Sequence, residues 1–187
     1  LGAVLTGGGS LLNRGVITGP GTIDLSFNNN GTVRVSNGEL ILAGAVTANT
    51  SNGTFNIGSG GTITVPNGLG LNVGSILLGG GKFDGGTGFV NAGTISGRGS
   101  VSADTVSNAG TIIFSGGTSD FFAQLTNSNR TTVTGNSLAT FYSPVATTTG
   151  TLSVNLGSSS VYLGAVTGLG HITGAGVKDF EGGASNG

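Results

Sequence analysis

Apolar residues in this chain arrive in short bursts, alternating one by one with polar residues and divided by glycine-rich punctuation. The clearest bursts are Gly21-Thr22-Ile23-Asp24-Leu25, Gly31-Thr32-Val33-Arg34-Val35, Gly53-Thr54-Phe55-Asn56-Ile57, Gly61-Thr62-Ile63-Thr64-Val65 and Gly150-Thr151-Leu152-Ser153-Val154. A period of two is the mark of a β-strand with one buried face. Asn37-Gly38, Asn52-Gly53 and Asn67-Gly68 fall between bursts, where a turn needs positive φ.

Asn-Gly between alternating runs also suits a hairpin, so a meander or sandwich competes at this level. Longer repeats favour a solenoid. Gly15-Val16-Ile17-Thr18-Gly19-Pro20-Gly21 returns as Gly93-Thr94-Ile95-Ser96-Gly97-Arg98-Gly99 after 78 residues, and as Gly170-His171-Ile172-Thr173-Gly174-Ala175-Gly176 after 77 more. Val90-Asn91-Ala92-Gly93-Thr94-Ile95 is echoed 17 residues on by Ser107-Asn108-Ala109-Gly110-Thr111-Ile112. Repetition with small insertions is natural where each unit touches only its neighbours. The reading is all-β, a right-handed parallel β-helix (β-solenoid) with coils of roughly 17–22 residues. Stacked asparagines are expected to bond from coil to coil at the corners. Phe121-Phe122 and Phe141-Tyr142 should each place one aromatic inward and one outward.

Residues 1–187 read as a single solenoid segment of a longer precursor or assembly. The stretch 114–150 is the least regular and suggests a protruding loop, and 182–187 suggests a flexible tail. Leu1-Gly2-Ala3-Val4-Leu5 already reads as a coil strand, whereas Val177-Lys178-Asp179-Phe180-Glu181 gathers charge suited to a last turn.

Composition narrows the function. Of 187 residues 40 are glycine, charged residues are 7%, and the net charge is −1, so no field steers the chain to nucleic acid. Three prolines exclude collagen, and 36% hydrophobic residues in patterned bursts argue against disorder. There is no cysteine, hence no disulfide and no thiolate metal site. No apolar run is long enough for a membrane span.

Candidate chemistry is sparse. The one histidine, His171, takes the place of Thr94 in the repeat and should project outward. With a lone histidine, a transition-metal site is not expected. Asp24 with Glu39, and Asp84 with Asp104, could fall on adjacent coils as a hydrolytic carboxylate pair. Asp84, in Phe83-Asp84-Gly85-Gly86, reads more simply as a turn acid. Gly79 to Asp84 only approximates a calcium nonapeptide. Thr62-x-Thr64 and Thr132-x-Thr134 do not recur as an ice-binding array would. Asn30, Asn49, Asn52 and Asn129 match the N-glycosylation pattern at a frequency this composition supplies by chance. The reading therefore names no catalytic, cofactor-binding or metal-binding residue, and no cofactor.

The unit Asn-x-Gly-Thr-Ile/Val, in Asn91 to Ile95, Asn108 to Ile112 and more loosely Asn13 to Ile17, resembles the β-helical passenger segments of bacterial autotransporters and related large surface adhesins. That resemblance implies export, display at the bacterial surface or outside the cell, and a non-enzymatic structural or adhesive role. Expected partners are further copies stacked end to end, neighbouring solenoid segments, and host-surface or matrix glycans. Nucleic acid and membrane insertion of this segment are not expected. A self-polymerising filament subunit and a polysaccharide-degrading β-helix enzyme are the alternatives.

Overall fold

The computed structural model describes residues 2–185, which form 22 strands in one sheet system whose ladders are all parallel. The architecture is a parallel β-solenoid. Strand length alternates with glycine and asparagine corners, and each coil is laid on the one before it.

Three columns define its faces. On the first, which we call the threonine face, Val16, Thr32, Thr54, Ser75, Thr94, Thr111, Arg130, Thr151 and His171 stand in register. On the aromatic face, ten rungs run Ala3, Gly21, Leu40, Ile63, Phe83, Val101, Phe121, Phe141, Tyr162, Phe180. On the asparagine face, Asn13, Asn29, Asn49, Asn72, Asn91, Asn108 and Asn127 align before Thr147 takes the position. Adjacent asparagines are 16 to 23 residues apart in sequence, close to the expected coil length. Ten rungs at roughly 4.8 Å make a rod about 43 Å long.

Alternation puts Ile, Val, Leu and Phe from every coil into one axial core, in which Val33, Phe55, Ile76, Ile95 and Ile112 are fully buried. Toward the carboxyl end the core becomes an aromatic stack. Phe141 lies 4.9 Å from Tyr162 at 12°, and Tyr162 lies 5.0 Å from Phe180 at 10°. Phe121 and Phe141 are buried while Phe122 and Tyr142 are exposed, as the alternation requires.

The glycine of the Asn-x-Gly-Thr unit is needed for close approach rather than for its dihedral angles. A Cβ on Gly74 would meet the Gly53 oxygen at 2.1 Å, and one on Gly93 the Gly74 oxygen at 2.2 Å. Successive coils therefore touch backbone to backbone at this corner. Gly38 and Gly68, after the turn asparagines, do adopt positive φ (75° and 84°).

No protruding loop leaves the coil between 114 and 150. Strands at Gln124–Asn127, Arg130–Thr134, Leu138–Phe141 and Val145–Thr147 pair with the coils on either side. The glycine-threonine punctuation lapses here, but Phe121, Leu125, Val133, Phe141 and Val145 keep the inward positions. At the far end, Gly182 N–H donates to the Tyr162 oxygen, and Ala184–Ser185 pairs with Val166–Thr167. Residues 182–185, expected to open a flexible tail, are thus laid down as coil. The rest of that expectation lies outside the described residues.

Candidate functional surface

The chemistry expected of the acids does not assemble. Asp24 is in register with Thr6 and Glu39 with Thr62, and the ladder that joins their own strands, Gly21 with Leu40 to Ile23 with Leu42, runs between them. Ala43 N–H donates to the Ile23 oxygen at 2.8 Å, so Ala43 and not Glu39 comes beside Asp24. The Glu39 carboxylate is engaged by the Thr64 hydroxyl at 2.5 Å. Asp84 pairs with Ser102, two positions before Asp104. Asp84 is a turn acid, accepting from Gly86 N–H at 3.2 Å and ion-paired to Lys82 at 3.0 Å. Partial burial works to raise its pKa, but the Lys82 and Gly86 hydrogen bonds and the lysine charge hold it below its ordinary value. His171 is exposed in register with Thr151. Among the described residues no three His, Cys, Asp or Glu side chains gather as metal ligands. No described helix is long and apolar enough to cross a membrane.

The most ordered polar feature is internal. Each asparagine of the column donates Nδ2–H to Oδ1 of the next: Asn13 to Asn29 at 2.8 Å, Asn29 to Asn49 at 2.8 Å, Asn49 to Asn72 at 2.7 Å. The chain continues from Asn72 to Asn91 at 2.6 Å, Asn91 to Asn108 at 2.7 Å and Asn108 to Asn127 at 2.8 Å. Except at Asn72, the amide nitrogen also reaches a backbone oxygen, as Asn49 does at Ser75 (3.2 Å) and Asn108 at Arg130 (3.1 Å). Buried amides with both groups engaged rigidify a single register. Asn49, one of the four glycosylation matches, is fully buried in this ladder and unavailable to modification.

The outer surface is mostly flat. One groove of about 470 Å³ crosses the asparagine face where Gly70 and Gly88 leave no side chain, and its walls, Thr47, Asn67, Val90 and Ser107 among them, contain no acid or base. A second hollow of about 670 Å³ lies at the first described coil, lined by Leu5, Leu11, Ile17 and Asn13. There Val4, Leu5, Leu12 and Val16 are exposed.

One stretch of the aromatic face differs from the rest. Its early coils present Thr64 bonded to Glu39 and Lys82 ion-paired to Asp84, polar residues that partner one another. Its later coils present Leu138, Phe122, Tyr142, Leu163 and Val177, all at least 38% exposed. Phe122 and Tyr142 stack at 4.4 Å and 16°, and the Tyr142 hydroxyl donates to Asp120 at 3.1 Å. The bond to the anion Asp120 raises the Tyr142 pKa. Sequence alternation identified the outward aromatics. What it missed was that coil register gathers them, because the intervening 20 or so residues vary in length.

No family model, curated protein or solved structure matches this chain.

Proposed function

We propose that the chain is a non-enzymatic structural or adhesive rod, displayed on a bacterial surface or in the surrounding matrix. The observation that carries this reading is the unbroken ladder Asn13 to Asn127 inside a column of ten rungs. A solenoid so bonded holds its outer faces at fixed spacing, which is what a spacer or a display surface requires. The wide β-helix class, which includes autotransporter passengers, uses the scaffold in this way. Fold alone does not assign an activity, so support comes from the surface: a groove on the asparagine face without acid or base, polar residues bonded to one another, and an apolar stretch on the later coils of the aromatic face. The test is antibody labelling of the source cells before and after permeabilisation. Labelling of intact cells supports display. Labelling that demands permeabilisation refutes it.

End-to-end stacking is the second reading, and specific columns favour it. Ile172, 36% exposed, shares a column with Ile17, and Phe180 shares one with Ala3. A second copy laid on the first coil would continue both, with a large ring over a small residue. Electron microscopy across concentration distinguishes filaments from single short rods.

A further inference from the structure

The outward positions of the last four aromatic-face rungs form a grid of three columns. The middle column reads Asp120, Thr140, Val161, Asp179. Beside it run Thr118, Leu138, Ser159, Val177 on one side and Phe122, Tyr142, Leu163 on the other; after Phe180 it is Gly182 N–H that takes the Tyr162 oxygen, so Glu181 lies in the turn and outside the column. Leu138, Tyr142, Val161 and Leu163 share the two central rungs with Thr140 and Ser159, and one carboxylate, Asp120 or Asp179, stands at each axial end. Neither acid has an ion-pair partner among the described residues. Lys178, the nearest base in sequence, turns away and spends its ammonium on the Gly174 and Gly176 oxygens at 2.6 and 3.0 Å. The grid is apolar, acidic at its ends and without a base.

Deepening the adhesive reading, on which it rests, we infer that this grid binds an extended polypeptide segment of the pattern basic-x-apolar-x-basic, lying along the rod axis. The spacing selects the conformation. Asp120 and Asp179 are three rungs apart, about 14 Å at the usual strand separation. Residues i and i+4 of an extended chain are about 13.5 Å apart and face the same side. A helix covers that distance in about nine residues, which puts the two bases on opposite sides. Between the bases, residue i+2 meets Thr140 and Val161, with Tyr142 and Leu163 alongside.

A neutral glycan fits the grid less well. Sugars stack on open aromatic faces, and here Phe122 and Tyr142 cover one another at 4.4 Å, leaving edges outward. Carboxylates that lack a base favour a cationic ligand, and burying apolar surface around them strengthens the pairing.

The probe is a fluorescein-labelled peptide containing Lys-Thr-Val-Thr-Lys, compared with one in which the lysines are three apart. Fluorescence anisotropy with the full chain should show saturable binding below about 1 mM, at least tenfold tighter for the i, i+4 peptide. The double variant D120N/D179N should lose tenfold or more, with the β-sheet circular dichroism unchanged, while E39Q on the early coils should lose nothing. Raising salt to 0.5 M should weaken binding. Equal affinity for the two peptides, indifference to D120N/D179N, or retention on a neutral polysaccharide column that Y142A abolishes, would overturn the assignment. Surface labelling of intact cells reads the rod proposal separately, so labelled cells without peptide binding sink this inference alone.

Discussion

Replacing Asn72 by alanine breaks the ladder at its middle and gives the sharpest energetic test of the fold. Asn72 is fully buried, accepts from Asn49 at 2.7 Å and donates to Asn91 at 2.6 Å. The substitution strands two groups: an Asn49 amide hydrogen, whose nitrogen keeps only the 3.2 Å bond to Ser75, and the Asn91 Oδ1. A buried polar group left without a partner costs about 1–3 kcal/mol, so the two together cost about 2–6 kcal/mol. The small void adds under about 1 kcal/mol. Asn13→Ala leaves the Asn29 Oδ1 with the Gly31 N–H at 3.4 Å and also removes the 3.1 Å bond from Gly15 N–H and the 3.3 Å bond to the Thr32 oxygen, but Gly15 is exposed and can turn to water, so the cost should be about 1–2 kcal/mol. In urea, with a slope of about 2–3 kcal/mol per molar, Asn72→Ala should lower the midpoint by about 1–2 M and Asn13→Ala by less than half of that. Circular dichroism in the sheet band reads both midpoints. Equal shifts for the two variants, or a shift for Asn72→Ala no larger than for the exposed Asn52→Ala, would refute the ladder argument.

Other perturbations have equally definite outcomes. Phe141→Ala removes a fully buried ring packed between Phe121 at 5.6 Å and Tyr162 at 4.9 Å, and should cost about 3–5 kcal/mol by the same urea assay. Gly93→Ala would drive a Cβ to 2.2 Å from the Gly74 oxygen, so the coils there must part; hydrogen exchange should accelerate around residues 74 and 93 and leave distant coils slow. Ser119→Ala deletes a buried hydroxyl that has no partner, and should leave stability unchanged or raise it by up to about 1 kcal/mol; a loss above that would mean the hydroxyl is bonded. Burial raises the pKa of Tyr162, whose neutral form the core requires. A folded pKa above the unfolded one means this stability is complete below about pH 10 and is lost as pH climbs through the folded value. Thermal midpoints should therefore fall in strong alkali, and fall less in Tyr162→Phe.

Much of this fold was legible because its physics is local. Gly53-Thr54-Phe55-Asn56-Ile57 states in five residues which side chains go in, and Phe55 and Ile57 are indeed fully buried. The 17-residue echo from Asn91 to Asn108 is one coil, and those two side chains touch at 2.7 Å. Where punctuation changed, reading failed. Ser128-Asn129-Arg130 replaces the glycine-threonine entry, yet Arg130 stands in register with Thr111 because the strand is fixed by Thr131 and Val133 facing inward. The acids misled for a related reason. Asp24 and Glu39 are separated by about one coil in sequence, but where a residue falls along its strand depends on the length of each corner. Asp120 and Asp179 are 59 residues apart in sequence and share a column, a relation that only the accumulated register of three coils reveals.

The central claim is one continuous, internally bonded column, and side-chain amide exchange tests it most directly. In a nitrogen-15 NMR exchange experiment, the Nδ2 hydrogens of Asn29, Asn49, Asn72, Asn91 and Asn108 should persist in heavy water as long as the backbone amides of their own coils. Those of the exposed Asn52 and Asn67 should vanish in the dead time. Ladder amides that exchange as fast as Asn52 would contradict the column, and with it the rod on which the proposed function stands.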